Sequence, residues 1–320
     1  MTLPKIKKIK LDDTVERNSK AVFRKVAFLT CEVSPRRKIK INLPGCNFDC
    51  KGCFSIAKKE IGRALSVDGL LDLLLKSCYL IYGGLVDDVQ MTGGEPTMNP
   101  NYLLSLIQKL RELGVSKIGI STNGHMLSEN LVGELNSLCG AGLYIKLDLK
   151  AYTDEIHKWY TGKSNINVLR AVRLLHEYNI DFYARTIVIP DIVDASEVGK
   201  IAKFLSSIDQ GIPYKLYEFA PFEFAFEQFH DKLSRRPTEE KMLKAFNVAR
   251  KHLNNVEFFI YPGALNLKTS PHKTAYDPDY KFVEIRADEL LGSFKRIDKL
   301  IKLTDPGWNV QYLTMDQVLS

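Results

Sequence analysis

The chain has 320 residues, of which 45% are hydrophobic and 26% charged, and this balance excludes a disordered chain while allowing one large α/β domain with appendages or two small domains. No apolar run approaches the length of about 18 residues that a membrane-spanning helix needs, so we expect none. The net charge of +7 is concentrated between Lys5 and Lys10 and at Arg36 to Lys38, which predicts a solvated basic edge; nucleic-acid binding stays open, although no recognition motif supports it.

Residues 1–37 are predicted to form an N-terminal extension that leads into a β-hairpin. Ala21 to Val33 and Arg36 to Leu43 both have the residue pattern of strands, and Ser34-Pro35 joins them. Met1 to Lys10 alternates lysine with isoleucine or leucine and lacks the apolar core of a signal peptide. We therefore expect a cytoplasmic protein.

Between about residues 38 and 261, short β-branched runs alternate with amphipathic helical stretches. This is the pattern of repeated βα units around a parallel sheet, and residues 262–320 are left as a C-terminal extension of unknown role. The predicted core strands are Lys38 to Leu43, Asp87 to Met91, Lys117 to Ser121, Leu143 to Leu149, Phe182 to Ile189 and Tyr214 to Ala220.

Helix signals lie between these strands. Asn99-Pro100 predicts a capped helix start and Gly114 the end of the same helix, while Ser128 is predicted to cap the next one. Further helices are predicted near 166–178 and 194–208, and another begins at Thr238.

Three cysteines occur on one short loop immediately after the first core strand. Cys46, Cys50 and Cys53 have CxxxCxxC spacing, and three soft thiolates on such a loop suit three irons of a cubane. Gly45 and Gly52 allow the backbone to fold closely around it. A fourth thiolate is missing, which would leave one iron open to an exogenous ligand. A zinc site, which usually takes four ligands, and three structural cysteines remain as alternatives.

The other cysteines and the histidines have no ligand spacing. Cys31, Cys78 and Cys139 occur singly in apolar contexts and are predicted to be core residues, without disulfide bonds in a reducing compartment. His125 and His157 are predicted at the surface or at the rim of the site, with His157 a candidate for a substrate contact.

The second core strand is followed by Thr92-Gly93-Gly94-Glu95-Pro96. A double-glycine turn is by itself often only a strand-to-helix connection. Coupled to the cysteine loop, it resembles the radical S-adenosylmethionine (SAM) superfamily, which has a CxxxCxxC loop in a partial (β/α)6 barrel and a GGEP turn against the methionyl amino group of SAM. The resemblance implies that fold, with the hairpin and the C-terminal extension added. It also implies a 4Fe-4S cluster on the three cysteines, and Gly93, Gly94 and Glu95 at the amino end of SAM.

Within that superfamily the chain is most similar to the glycyl-radical-enzyme activases, the branch that contains the pyruvate formate-lyase activating enzyme. The segments that carry the resemblance are Ser121 to Gly124, Leu147 to Lys150, Asp154 to His157, Ser164-Asn165 and Arg185 to Pro190. It implies SAM contacts from Thr122, Asn123, Asp148, Lys150 and Arg185. Charged residues that end parallel strands also lie where ligand sites form, although Asp148 and Lys150 could only pair with each other.

Three features depart from that branch. Ser121 and Lys146 stand where those activases have an aspartate and a methionine around a monovalent cation, so the lysine ammonium replaces the cation or the site is absent. Phe54, after the last cluster cysteine, lies near adenine or packs in the core. Leu216 to Pro221 replaces a Pro-Tyr-His segment, which leaves the protein substrate open.

The function implied by the resemblance is that of an oxidoreductase. A low-potential donor, ferredoxin or flavodoxin, reduces the cluster, and SAM is cleaved to methionine and a 5'-deoxyadenosyl radical. The radical then abstracts hydrogen from a backbone glycine of a glycyl radical enzyme. Radical modification of a small metabolite or RNA is the enzymatic alternative, and a zinc or iron-sulfur binding module is the non-enzymatic one.

Overall fold

The computed structural model describes residues 22–53, 55–219, 236–260, 273–274, 281–287 and 309–320. Its strands are β1 (Phe23–Val26), β2 (Phe28–Ser34), β3 (Lys38–Leu43), β4 (Arg63–Ser66), β5 (Asp88–Gly93), β6 (Lys117–Thr122), β7 (Leu143–Asp148), β8 (Asp181–Val188), β9 (Tyr214–Glu218), β10 (Val256–Ile260), β11 (Lys273–Thr274), β12 (Lys281–Arg286) and β13 (Asn309–Thr314). Its helices are α1 (Val67–Tyr82), α2 (Pro100–Glu112), α3 (Glu129–Cys139), α4 (Asp154–Thr161), α5 (Ile166–Glu177), α6 (Ala195–Ser206), α7 (Glu239–Ala249) and α8 (Met315–Leu319). None of these helices is long and apolar enough to cross a membrane.

Strands β3, β5, β6, β7, β8 and β9 lie side by side and run parallel. They correspond to the six predicted strands, with ends that differ by at most two residues. Helices connect most of them, and β10 and β11 continue the parallel order beyond β9. The predicted α/β fold is therefore confirmed, as a partial barrel whose sheet stays open at both edges among the described strands.

The helix boundaries follow the predicted caps. The Asn99 side chain accepts a hydrogen bond from the Tyr102 backbone at 3.1 Å, and Ser128 accepts one from Leu131 at 3.2 Å. Gly114, at a φ of 92°, follows the end of α2 in the left-handed region that suits glycine.

The predicted strand from Ala21 to Val33 is wrong as a single element, because the chain changes partner at Ala27. β1 pairs with β4 in a separate two-stranded sheet, whereas β2 forms the predicted hairpin with β3. The Ala27 amide donates to the Asn42 carbonyl, and a Cβ on Gly62 would lie 2.3 Å from the Val26 carbonyl oxygen. This close backbone packing separates the two strands.

Strands from the C-terminal extension complete the same edge. β12 pairs antiparallel with β2, and β13 runs parallel to β12. The N-terminal hairpin is thus covered by strands that come from the other end of the chain.

The two faces of the main sheet differ in polarity. On β7, Leu143, Ile145 and Leu147 are buried, while Tyr144, Lys146 and Asp148 alternate with them and are partly exposed. We call the second side the polar face; it also carries residues in register with these on neighbouring strands, namely Glu32, Lys38, Lys40, Asp88, Gln90, Ser121, Tyr183, Arg185 and Lys215. Alternation along each strand therefore puts apolar side chains in the core and charged ones on the opposite side.

Candidate functional site

The cysteine loop begins where β3 ends and is fixed by backbone hydrogen bonds on both sides. The Gly45 amide donates to the Ala57 carbonyl at 2.9 Å. The amides of Asp49 and Lys51 donate to the carbonyls at the end of α4, at 2.8 and 2.9 Å. The loop is therefore held between the strand end and a helix end without using its thiols.

The thiols are partly withdrawn from water. Burial raises the pKa of Cys46 to about 11 and that of Cys50 to about 12, and the positive charge of Lys150 opposes the rise at both. A bound metal displaces the thiol proton and removes this cost. All six cysteines are free, and Cys31, Cys78 and Cys139 are buried as predicted.

The double-glycine turn touches the cysteine loop directly. The Gly94 amide donates to the Leu43 carbonyl at 2.9 Å, and the Glu95 amide donates to the Gly45 carbonyl at 2.7 Å. A Cβ on Gly94 would lie 1.9 Å from the Gly45 carbonyl oxygen, and one on Gly93 would lie 2.7 Å from backbone atoms of Leu43. Only glycine permits this approach, so the two predicted motifs form one backbone unit.

The Glu95 side chain is 1% exposed and its carboxylate is engaged within the protein. Oε1 accepts hydrogen bonds from the Thr97 backbone at 3.0 Å, from the Thr97 hydroxyl at 2.7 Å and from the Thr122 hydroxyl at 2.7 Å. Oε2 accepts one from the Asn123 backbone at 2.7 Å. Burial raises the pKa of Glu95, and the hydrogen bonds from Asn123 and Thr97 oppose this. The carboxylate thus joins the turn after β5 to the end of β6.

Asn123 extends this connection to the cysteine loop. Its Nδ2 donates to Asn47 Oδ1 at 2.7 Å and lies 3.8 Å from Cys46 Sγ. The Nδ2 of Asn47 is buried and has no hydrogen-bond partner among the described residues. An unpaired donor on the loop is a position at which a bound group can accept a hydrogen bond.

Asp148 at the end of β7, Lys150 just beyond that strand and Arg185 within β8 form one ionic cluster. Lys150 Nζ lies 3.0 Å from one carboxylate oxygen of Asp148, and Arg185 Nε pairs with the other. Burial disfavours the charge of Asp148, but Arg185 and Lys150 outweigh it and hold the pKa below its usual range. Because two cations share one carboxylate, the cluster has a net charge of +1 beside the cysteine loop.

Arg24 belongs to this region although nothing in the sequence indicated it. It lies on β1 and is 8% exposed, and its guanidinium donates to the carbonyl of Pro96 at 2.5 Å and to that of Glu95 at 2.7 Å. In sequence, Arg24 is one of two basic residues in a short extended run. Only pairing between β1 and β4 turns it toward the double-glycine turn.

Several other predictions have a different outcome. Phe54 lies outside the described residues, as do residues 220 and 221 of the departing segment.

Lys146 and Ser121, the two residues that depart from the activase pattern, are bridged by the Gln90 amide. Lys146 Nζ donates to Gln90 Oε1 at 2.8 Å, and Gln90 Nε2 donates to Ser121 Oγ at 2.6 Å.

The prediction that His157 lies at the surface or rim is wrong. His157 is fully buried, because its Nδ1 meets the Lys163 carbonyl at 2.7 Å and its ring packs edge-on against Phe48. His125 packs against the other side of Phe48 and is partly exposed.

The donor set suits a cluster better than a single metal ion. Across the described ranges, no three His, Cys, Asp or Glu side chains are grouped as the ligands of one ion. Zinc requires its ligands to converge on one position, whereas each thiolate of a cubane binds its own iron. Three thiols on a fixed loop, an unpaired amide and a neighbouring net positive charge fit an anionic iron-sulfur cluster with an additional ligand.

Comparisons with known proteins give one family match and several similar proteins. The Radical SAM superfamily model matches residues 43–205. A Methanocaldococcus jannaschii protein, whose name assigns it provisionally as a glycyl-radical enzyme activating enzyme, is 33% identical over 236 residues, covering 71% of this chain and 83% of that protein. A pyruvate formate-lyase-activating enzyme from Staphylococcus epidermidis is 26% identical over 186 residues, covering 56% of this chain and 71% of the relative.

Likeness to solved structures supports the fold. SuiB from Streptococcus suis, solved with S-adenosylmethionine bound, aligns with a TM-score of 0.53 at 14% identity, covering 68% of this chain and 51% of that one. The family match covers half of the chain, and the first relative is similar over most of its own length. The chain therefore belongs to the radical SAM superfamily, and it is a radical SAM enzyme that uses a 4Fe-4S cluster and SAM.

Proposed function

We propose that this enzyme activates a glycyl radical enzyme by abstracting hydrogen from one of its backbone glycines. The observation that carries the proposal is the backbone contact between the cysteine loop and the double-glycine turn, with the charge of Lys150 acting on Cys50 from the neighbouring ionic cluster. This arrangement supports SAM cleavage at the loop. The names of the similar proteins from M. jannaschii and S. epidermidis support the choice of substrate.

In this proposal Cys46, Cys50 and Cys53 would hold the cluster, and the absence of a fourth cysteine on the loop would leave one iron for SAM. The zinc alternative is disfavoured because the three thiols are not grouped around one ion position. A non-catalytic module would also have no need of the buried charge cluster next to the loop.

The remaining residues divide between the two ends of the methionyl group. The net charge of +1 at Lys150 and Arg185 attracts the carboxylate of SAM, and Asp148 keeps both cations in place. The amino group lies against the backbone of Gly93 and Gly94. Glu95, whose carboxylate is occupied by protein donors, positions this turn. Thr122 and Asn123 act with it, and Phe54 remains our candidate for an adenine contact.

When bound and reduced, the cluster and SAM supply a 5'-deoxyadenosyl radical, with methionine as the other product. A hydrogen atom would pass from the glycine Cα of the partner to that radical, which would give 5'-deoxyadenosine and a glycyl radical. The electron comes from a low-potential donor, ferredoxin or flavodoxin. Six free cysteines support a reducing, cytoplasmic location, and we propose no role in nucleic-acid binding.

The test starts with anaerobic reconstitution, which is expected to give about four irons and four sulfides per chain. The reduced enzyme, with SAM, is then added to an anaerobic extract of the source cell. Electron paramagnetic resonance is expected to show a glycine-centred doublet that collapses when the cells are grown on deuterated glycine. Deuterium that enters 5'-deoxyadenosine from a metabolite or RNA fraction, without a protein radical, would refute the activase function but not SAM cleavage. Stoichiometric zinc without sulfide would refute both.

A further inference from the structure

Lys146 lies on the polar face, on the N-terminal side of the ionic cluster along β7. It is two residues before Asp148 on the same strand, and side chains two residues apart point to the same face. At a rise of about 3.3 Å per residue, the two positions are about 7 Å apart along β7. A group bound at Lys146 would therefore lie deeper on the polar face than the methionyl carboxylate of SAM.

Most neighbouring cations on the polar face have a carboxylate partner. Lys38 pairs with Asp88 at 3.2 Å and Lys215 with Glu257 at 3.2 Å, and two further pairs are Lys40 with Glu32 and Arg185 with Asp148. Lys146 has no carboxylate partner within the part of the chain that the structure describes; its ammonium donates only to the Gln90 amide oxygen, at 2.8 Å.

The surroundings of Lys146 favour an anion. Burial lowers the pKa of Lys146 well below its usual value, the positive charges of Lys38, Lys40 and Arg185 lower it further, and Glu32 opposes this only in part. A bound anion would restore the charged form of the lysine. Gln90 is oriented by its own donation to Ser121, so its oxygen faces the ammonium before any ligand arrives. An ammonium with one fixed acceptor keeps two N–H donors for a bound group.

The neighbouring ion pairs indicate what kind of group would suit Lys146. Lys38 and Lys215 each meet one carboxylate, whereas Lys146 meets only a neutral amide among the described residues. A single carboxylate bound at Lys146 would complete the same one-to-one pairing.

We propose that Lys146 binds a carboxylate of the substrate and so positions the carbon from which hydrogen is abstracted. This proposal rests on the radical function above and adds the substrate chemistry. The carboxylate belongs either to an acidic side chain beside the target glycine of a partner protein or to a free small acid. In both cases the recognition at Lys146 is the same.

The stability of variants separates a binding lysine from a structural one. Lys146→Met removes the desolvation cost of a buried cation that lacks a counterion, and this gain opposes the loss of the donor to the buried Gln90 oxygen, so the urea midpoint is expected to change little. Lys215→Met is the matched control, because it removes the ion pair with Glu257 on the same face and is expected to lower the midpoint. A Lys146→Met variant that is destabilised as much as Lys215→Met would contradict the proposal.

Anion protection then tests the ligand on the reconstituted full chain without any partner protein. Acetate, compared with chloride at equal ionic strength, is expected to raise the urea midpoint of the wild type and of Lys215→Met, because a ligand that binds only the folded state stabilises it. Lys146→Met is expected to show no such rise. Protection by inorganic phosphate but not by acetate, or equal acetate protection of all three proteins, would overturn the assignment.

Turnover identifies the source of the carboxylate. With deuterated extract, 5'-deoxyadenosine that carries deuterium reports cleavage coupled to the substrate, and unlabelled 5'-deoxyadenosine reports uncoupled cleavage. The ratio of the first to the second is expected to fall about ten- to a hundredfold in Lys146→Met and to keep its wild-type value in Lys215→Met. A fall in the protein fraction indicates an acidic side chain, and a fall in the small-molecule fraction indicates a free acid. An unchanged ratio in both fractions would refute substrate binding by Lys146. Failure of the glycyl radical test alone would leave the acetate result intact, so the two proposals can fail separately.

Discussion

Replacement of Glu95 tests whether this residue positions the cofactor turn or contacts SAM through its charge. Glu95→Ala removes the acceptor of two buried backbone amides, those of Thr97 and Asn123, while the two threonine hydroxyls can rotate to other acceptors. Each stranded amide costs about 1–3 kcal/mol, so the expected loss is about 2–6 kcal/mol in the free energy of unfolding.

Glu95→Gln is the more informative variant. Its amide oxygen can still accept from Thr97 and Thr122, but its NH2 group would then face the Asn123 amide. Only one buried amide loses its acceptor, so the expected loss is about 1–3 kcal/mol. Urea unfolding of the reconstituted enzyme measures both variants. Glu112→Ala, at an exposed glutamate of α2, is the control and should change stability by no more than about 0.5 kcal/mol.

SAM affinity distinguishes the two roles of Glu95. If the carboxylate only positions the turn, Glu95→Gln retains most of the wild-type affinity, measured by equilibrium dialysis, and Glu95→Ala loses more. A glutamine variant as stable as the wild type that nevertheless fails to bind SAM would refute the positioning role, because only a direct charge contact explains that result. An alanine variant with unchanged stability would contradict the hydrogen-bond argument itself.

Three further outcomes are expected. Cys50→Ser should abolish iron and sulfide binding, whereas Cys78→Ser, at a buried core thiol outside the loop, should retain both. Iron and sulfide analysis of the two variants tests this, and loss of the cluster in Cys78→Ser would reveal an overlooked ligand. Gly94→Ala should impair cluster retention, measured by absorbance, because its methyl group would lie 1.9 Å from the Gly45 carbonyl oxygen. Gly84→Ala meets no atom within 4 Å and should behave as the wild type, and equal retention in the two variants would refute the backbone contact. Burial lowers the pKa of His157 below 6.5, so the unfolded chain binds a proton at this residue more readily and the free energy of unfolding should fall as the pH drops below about 6.5. Urea titrations of His157→Gln should lack that part of the pH dependence, and an unchanged dependence would contradict the argument.

The main sheet could be predicted because its signals are local. Each core strand is a short β-branched run bounded by turn residues, and caps such as Asn99 and Ser128 act within three residues of their own position. The strand from Ala21 to Val33 failed for the opposite reason. Its division at Ala27 depends on packing against Gly62, which local propensity does not contain.

The candidate site shows the same limit. Motif spacing indicated the cysteine loop and the double-glycine turn, because both are contiguous in sequence. It did not indicate that the Glu95 carboxylate is occupied by Thr97 and Asn123, since that requires β5 and β6 to be neighbours. The burial of His157 likewise depends on packing against Phe48, about 110 residues away in sequence.

The contact between Arg24 and the double-glycine turn has a consequence for the order in which the site is assembled. Its two hydrogen bonds span 72 and 71 residues of sequence, whereas the three cysteines are contiguous with β3. During synthesis the metal-binding loop therefore exists before the carbonyl groups that Arg24 holds. A nascent chain can therefore present three thiols while its SAM turn is still missing. The α4 carbonyls that hold the loop at Asp49 and Lys51 are synthesised later than that turn, so the loop becomes fixed only after the SAM turn exists.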